Sequence, residues 1–270
     1  MQYGLLGGKL GHSLSPAIHA AFFKRTGLTG SYQLLETEAC DLPQRMEWIK
    51  NNLQGCNVTI PHKIAVMDYL DEIAPEAAAI GAVNTIAMKS GRALGYNTDY
   101  FGFGRMLEYN GINLNGKTAV VLGSGGAARA VVKYLADQKA DKIYLATRSP
   151  QNLDPHFRKI AEQCEAVSYE ALQNISGSVI INCTPVGMFP KTDASPVSAA
   201  VNTNFAAAVD LIYNPAQTLF LKQAQAAGKL AVNGLFMLVA QAVAAQEIWQ
   251  GQQYDSDLIV QIMADVERCL

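Results

Sequence analysis

The stretch "TAVVLGSGGAARAVVKYL" constrains this chain more than any other. A run of β-favouring residues ends at Leu122, and Gly123, Gly125 and Ala128 follow at the G-x-G-x-x-G/A spacing before a helical run. The first small residue permits a tight turn, the second lets backbone approach a pyrophosphate, and the third lets helix and strand pack closely. A helix N-terminus also supplies oriented N–H donors for an anion. An ordinary tight strand-to-helix turn is the competing reading. The next strand, "KIYLAT", favours a dinucleotide site, because strand, loop, helix and second strand are then all present. That strand runs into Arg148 and Ser149. An NAD site usually places Asp or Glu there, whereas a cation suits a 2′-phosphate. The pair therefore favours NADP, with a solvated surface arginine as the other reading.

The rest of the chain alternates in the same way. "YGLLG" reads as a buried strand, followed by the polar loop "GKLGHSLS". A helix then opens at Pro16 and closes on Gly27. "SYQLLET" and "GCNVTI" read as strands, with the helix "ACDLPQRMEWIKNN" between them. Pro61 is expected to open a further helix over residues 61–73. Such alternation predicts an α/β fold with parallel pairing. "AVNTIAMKSGRALGYNTD" differs: it predicts a hairpin turning at Ser90-Gly91, with Lys89 opposite Arg92. Asn84 then faces Asn97, and Asp99 lies just beyond. "SVIINCTP", "AAAVDLIYNP" and "KLAVNG" read as later strands, and helices end the chain. A length of 270 residues suits one or two domains. The change of texture near residue 100 predicts two α/β domains.

The charge balance excludes several classes of partner. Twenty-one basic and 23 acidic residues leave a net charge of −2, which offers nothing to nucleic acid or to a membrane surface. The five cysteines are odd in number and scattered, with no C-x-x-C, which predicts reduced thiols in a cytoplasmic protein and no metal site. The N-terminus lacks the pattern of a signal peptide. No apolar run has the length of a membrane span. His156, among charges, reads as a surface residue.

Some polar residues exceed what the fold needs. Ser15 precedes Pro16 and could cap its helix. Ser13 has no such task, and a hydroxyl-rich loop after a strand is where α/β folds bind ligands. In "NVTIPHK", Thr59 ends a strand and is either a β-favouring threonine or a free hydroxyl. His62 and Lys63 can each carry a proton, but adjacent helical positions point about 100° apart, so only one can face a ligand squarely. Gln241 shares a helical stripe with Met237, Leu238, Ala245 and Ile248, so its amide needs a partner or a polar ligand.

"SLSP", "NVTIPHK", "GAVNT", "YNTD", "GSGGAARA", "DLIYNP" and "NGLFMLVAQA" follow one another as in the shikimate dehydrogenases, and over about residues 3–250 the chain resembles that family. The resemblance implies reversible, NADP-dependent reduction of 3-dehydroshikimate to shikimate. It implies an N-terminal substrate domain and a Rossmann-like NADP-binding domain with a cleft between them. The boundaries expected are residues 1–100 with 236–270 for the former and 101–235 for the latter. By match to the family motifs, Lys63 and Asp99 are the catalytic pair. Ser13 and Ser15 bind the substrate carboxylate, and Thr59, Asn84, Tyr213 and Gln241 contact its hydroxyls or carboxylate. Gly123, Ser124, Gly125, Gly126 and Ala127 cradle the pyrophosphate, while Thr147, Arg148 and Ser149 receive the 2′-phosphate. Thr184, Met188, Leu211, Gly234 and Met237 match cofactor-side positions. No metal is implied, and the chain is expected as a monomer or homodimer.

Three departures stand out. A single guanidinium follows the cofactor strand, with Gln151 and Asn152 where a second basic residue is common. Phe236 replaces an expected glycine and could crowd the nicotinamide side. "NCTPVGM" replaces a more common Asn-Ala-Thr-Ser run. In the resulting scheme Lys63 gains acidity from the N-terminus of its helix, Asp99 aims the ammonium, and His62 faces elsewhere. The alternatives are a quinate/shikimate dehydrogenase using NAD and, more remotely, a non-catalytic shikimate-sensing module.

Overall fold

The computed structural model describes residues 1–269, except for the side chains of His156, Arg158, Ala161 and Cys269; the surface reading of His156 lies outside the described residues. The chain divides into two compact units, Met1–Gly102 with Val239–Leu270, and Phe103–Leu238. Among the described residues each carries a six-stranded sheet.

The first unit contains β1 (Gln2–Gly7), β2 (Ser31–Glu36), β3 (Gly55–Val58), β4 (Glu72–Ile73), β5 (Thr85–Lys89) and β6 (Arg92–Tyr96). Their order is β2-β1-β3-β5-β6-β4. β1 runs parallel to β2 and β3, and all four β3 residues are buried. The hairpin turns as expected, with Lys89 opposite Arg92, and β5 joins β3 antiparallel. The sheet is therefore mixed, not wholly parallel: a two-residue turn returns the chain in the opposite direction. Leu6, Met46, Ile49, Val58 and Ile86 centre its core.

The last helices complete this unit. The Trp249 indole N–H donates to the Ile86 carbonyl at 2.8 Å. Its ring fills the space above Gly55, where an added Cβ would lie 2.1 Å from Nε1. Tyr3 stacks on Trp249 at 4.6 Å, and Arg25 holds both carboxylate oxygens of Asp265 at 2.8 Å.

The helix expected over residues 61–73 is absent. The Ile60–Pro61 peptide is cis, a 3₁₀ turn occupies Ala65–Tyr69, and β4 follows. The physical reason is a competing partner: the Lys63 carbonyl accepts from Val83 N–H at 2.8 Å instead of from the next helical turn. Ser15 also departs from its expected capping role. It begins the helix Ser15–Thr26, with Leu14 at the N-cap position.

The second unit contains β7 (Thr118–Leu122), β8 (Lys142–Ala146), β9 (Glu165–Val167), β10 (Gly177–Asn182), β11 (Phe205–Asp210) and β12 (Leu230–Val232). Every pairing is parallel, in the order β12-β11-β10-β7-β8-β9. This is the doubly wound arrangement of dinucleotide-binding folds, whose direction of growth reverses between β7 and β10. Val120, Leu122, Ile180, Ala208 and Phe220 form its core. Such strands, covered on both faces, read as continuous apolar runs.

Candidate active site

In the first unit, strand ends bring a small polar group together. Lys63 Nζ lies 2.7 Å from Asp99 Oδ2, with both side chains mostly buried. Three backbone bonds set this geometry: Val58 N–H to Asn84 O, Val83 N–H to Lys63 O, and Asn84 N–H to Tyr96 O, at 2.8, 2.8 and 3.0 Å. They tie the loop after β3 to the base of the hairpin. Asp99 stands in the first turn of the helix Thr98–Tyr109. The positive end of that helix dipole therefore lies at Asp99 and not at Lys63. The expected effect of a helix on Lys63 has no source here, because Lys63 begins no helix.

In the same unit, Thr59 is half-buried and its hydroxyl makes no hydrogen bond among the described residues. Ser13 Oγ accepts from Ser15 N–H at 3.2 Å, so Ser13 has the local structural task that the sequence did not suggest. Asn84 is buried, and its Oδ1 accepts from Thr98 N–H at 2.7 Å. Its Nδ2 has no partner among the described residues. Gln241 is half-buried, with Oε1 accepting from the Thr98 hydroxyl at 3.4 Å. His62 is buried, and its Nε2 lies 2.8 Å from the Thr37 carbonyl. It is therefore occupied structurally.

In the second unit, Gly123 has a φ of +91°, and a Cβ there would meet Thr184 Cγ2 at 2.6 Å. Gly125 and Gly126 differ: added Cβ atoms would meet nothing within 4 Å. Gly125 precedes the helix Gly126–Asp137 with no side-chain cap, so the first N–H groups of the helix are left for another acceptor. Ser124 and Ala127 complete the loop. After β8, Thr147 is buried, Ser149 is half-buried, and Arg148 is exposed and makes no ion pair among the described residues.

Beyond β10, Thr184 donates its hydroxyl to Asn182 Oδ1 at 2.7 Å, and Asn182 Nδ2 donates to Asp210 Oδ1 at 3.0 Å. Asp210 also accepts from Thr218 Oγ1 at 2.7 Å and Ile212 N–H at 3.1 Å. Burial nevertheless raises its pKa to about 6. Gly234 packs directly on backbone: a Cβ would lie 2.1 Å from the Leu211 carbonyl oxygen. Met237 is buried, Met188 exposed, and Tyr213 half-buried with its pKa raised by desolvation. Phe236 is buried and stacks on Tyr109 at 4.5 Å. That partner accounts for an aromatic ring where the sequence suggested crowding.

A family model described as the shikimate dehydrogenase substrate binding domain matches residues 5–86. The shikimate dehydrogenase (NADP(+)) of Clostridium beijerinckii is 46% identical over 95% of this chain and 94% of its own. The chain belongs to the shikimate dehydrogenase family. A chorismate mutase/shikimate 5-dehydrogenase fusion protein from Clostridium acetobutylicum shares its fold with a TM-score of 0.94, 46% identity and coverage of 99% of this chain and 97% of that one. The shikimate 5-dehydrogenase of Thermus thermophilus, solved with NADP(H) and shikimate, gives a TM-score of 0.89 at 36% identity, with both chains fully covered. The expected α/β class and two-domain, Rossmann-like architecture of this shikimate dehydrogenase family member are borne out.

Sequence reasoning overlooked Thr98, which is fully buried and bonds both Asn84 and Gln241. Its signal was available: a threonine beside Asp99, at the hairpin end that faces Asn84. Among the described residues no group of three His, Cys, Asp or Glu side chains is placed to hold a metal ion. No described helix is long and apolar enough to cross a membrane.

Proposed function

We propose that this protein catalyses the NADP-dependent, reversible reduction of 3-dehydroshikimate to shikimate. The observation that carries the reading is the Lys63–Asp99 pair at 2.7 Å, with the Thr59 hydroxyl and Asn84 Nδ2 left without protein partners among the described residues. The unit formed by Met1–Gly102 and Val239–Leu270 is the substrate domain, and Phe103–Leu238 is the dinucleotide domain. The matched substrate-domain model and the relative solved with NADP(H) and shikimate support this division.

The glycine loop suits a pyrophosphate. Gly125 and Gly126 leave space where side chains would stand, and uncapped helix N–H groups provide donors. Gly123 to Ala127 would hold the pyrophosphate, and Thr147, Arg148 and Ser149 the 2′-phosphate. Thr184, Met188, Leu211, Gly234 and Met237 would line the rest of the cofactor site. When bound, the nicotinamide supplies the hydride.

The chain's own residues supply binding and the proton. Ser13 and Ser15 hold the carboxylate, while Thr59, Asn84, Tyr213 and Gln241 fix the hydroxyls or carboxylate. Lys63, as ammonium, gives its proton to the carbonyl oxygen while the carbonyl carbon receives the hydride, which yields the alcohol. In the reverse direction the amine accepts that proton. Asp99 aims the lysine and balances its charge. This is positioned acid–base chemistry, which needs no metal.

The single guanidinium at 148 favours a second reading, an enzyme using NAD with quinate as well as shikimate. Initial rates with shikimate and quinate, each with NADP and NAD, decide the matter. Shikimate with NADP should have the highest kcat/KM. A higher value for quinate with NAD would overturn the proposal, and no turnover in any combination would favour a sensing module. The proposal includes a cytoplasmic setting, supported by free thiols at Cys40, Cys56, Cys164 and Cys183, and a monomer or homodimer.

A further inference from the structure

A largely buried chain of hydrogen bonds runs through Asn57, Thr85 and Thr98, which lie in "NVTIPHK", "GAVNT" and "YNTD" but to which the family resemblance assigned no role. Tyr32 OH donates to Asn57 Oδ1 at 2.8 Å. Asn57 Nδ2 donates to Thr85 Oγ1 at 3.0 Å. Thr85 Oγ1 in turn lies 3.1 Å from both Asn84 Oδ1 and Thr98 Oγ1. Asn57, Thr85, Asn84 and Thr98 are all buried, so loss of one hydroxyl leaves the groups it served short of a partner.

The direction of these bonds is dictated by donor chemistry. Thr98 N–H can only donate, so the Asn84 atom 2.7 Å from it must be the carbonyl oxygen. The Thr85 oxygen already accepts from Asn57, which leaves its single proton for Asn84 Oδ1 or Thr98 Oγ1. When Thr85 satisfies Asn84, the Thr98 proton is released for Gln241 Oε1, its other acceptor at 3.4 Å. Without Thr85, Thr98 has a competing acceptor 3.2 Å away, Asn84 Oδ1.

We propose that Thr85 is a positioning residue for substrate binding: through its bond to Asn84 it holds that amide with Nδ2 towards the substrate, and through Thr98 it fixes Gln241. This rests on the shikimate reading above. Thr85 touches no substrate; it acts on two groups that do.

The test is a double-mutant cycle. Thr85→Val keeps the shape and removes the hydroxyl, and should raise the KM for shikimate about tenfold, the value of one buried hydrogen bond. The KM for NADP should not move, because the glycine loop lies in the other unit. In an Asn84→Ala background the same change should add little. Thr85→Ser should restore the parent KM, a rescue that a packing role would not give. Thr85→Ala replaces Thr85→Val in the cycle if the valine variant does not fold. An unchanged shikimate KM, a parallel rise in both KM values, or additivity with Asn84→Ala would each overturn the assignment. A parent enzyme that turns over shikimate while Thr85→Val matches it would sink the Thr85 role alone. A parent without shikimate turnover would sink the underlying reading as well.

Discussion

In the proposed scheme Phe103–Leu238 would meet a pyrophosphate mainly with backbone, whereas Met1–Gly102 with Val239–Leu270 would meet the substrate with side chains gathered from distant segments. In the former, six parallel strands and a glycine loop present helix N–H groups at the reversal between β7 and β10. In the latter, Lys63 follows a cis-proline turn, Asp99 opens a helix, and Asn84 ends a loop before β5. Backbone recognition depends on local geometry and tolerates side-chain change. Recognition by assembled side chains depends on every segment that brings them together.

The sharpest way to break this comparison is to remove one side chain. Lys63→Ala should lower kcat about 1,000-fold, within the usual value of a positioned acid or base. NADP affinity, measured by fluorescence titration, should stay unchanged; near-normal turnover would remove Lys63 from the chemistry.

Glycine substitutions sharpen the other side. Gly234→Ala drives a Cβ to 2.1 Å from the Leu211 carbonyl oxygen and should cost about 3 kcal/mol in denaturant unfolding. Gly125→Ala meets nothing within 4 Å, so its melting temperature should hold. Its NADP dissociation constant should instead rise about tenfold, through loss of close backbone approach. A melting-temperature loss of equal size in both variants would erase the distinction between packing and ligand glycines.

His62→Ala should be milder in turnover than Lys63→Ala, yet cost about 2 kcal/mol of stability through the lost bond to the Thr37 carbonyl. A chemical-denaturation midpoint equal to the parent's would count against that structural role.

The smallest effects are in pH, and the units should respond oppositely. Burial lowers the His19 pKa in the first unit from 6.5 to about 3. Its contribution to stability is therefore present above pH 6.5 and is lost as pH falls towards 3. Burial raises Asp210 in the second unit from 3.8 to about 6, so its contribution is present below pH 3.8 and is lost as pH rises through about 6. Asp210→Asn should raise the melting temperature relative to the parent more at pH 7 than at pH 4.5. An offset of the same size at both values would contradict the assignment.

How legible each unit was follows from the range of its determining contacts. The loop from Gly123 to Ala128 lies between adjacent strand and helix, so neighbours in sequence decide its form. The hairpin placed Lys89 opposite Arg92 because a two-residue turn sets register by itself. Residues 61–73 misled because Ile64, Val66, Met67 and Leu70 resemble an apolar helical face, while the partner that decides otherwise, Val83 N–H, is remote in sequence. Thr98, Thr85 and Asn57 were given no role for the same reason: most of their side-chain partners lie on segments remote in sequence.

Sequence alone determined the doubly wound half, the glycine loop and the membership implied by its linked motifs, because these are written in short-range spacing and strand periodicity. Tertiary structure decided that Lys63 leaves a turn and not a helix, that the helix dipole falls on Asp99, and that Phe236 stacks on Tyr109. It also decided which amide atoms of Asn84 and Gln241 are already occupied. A hydrogen bond between remote segments has no periodic signature; it exists only once the sheet has brought its two ends within about 3 Å.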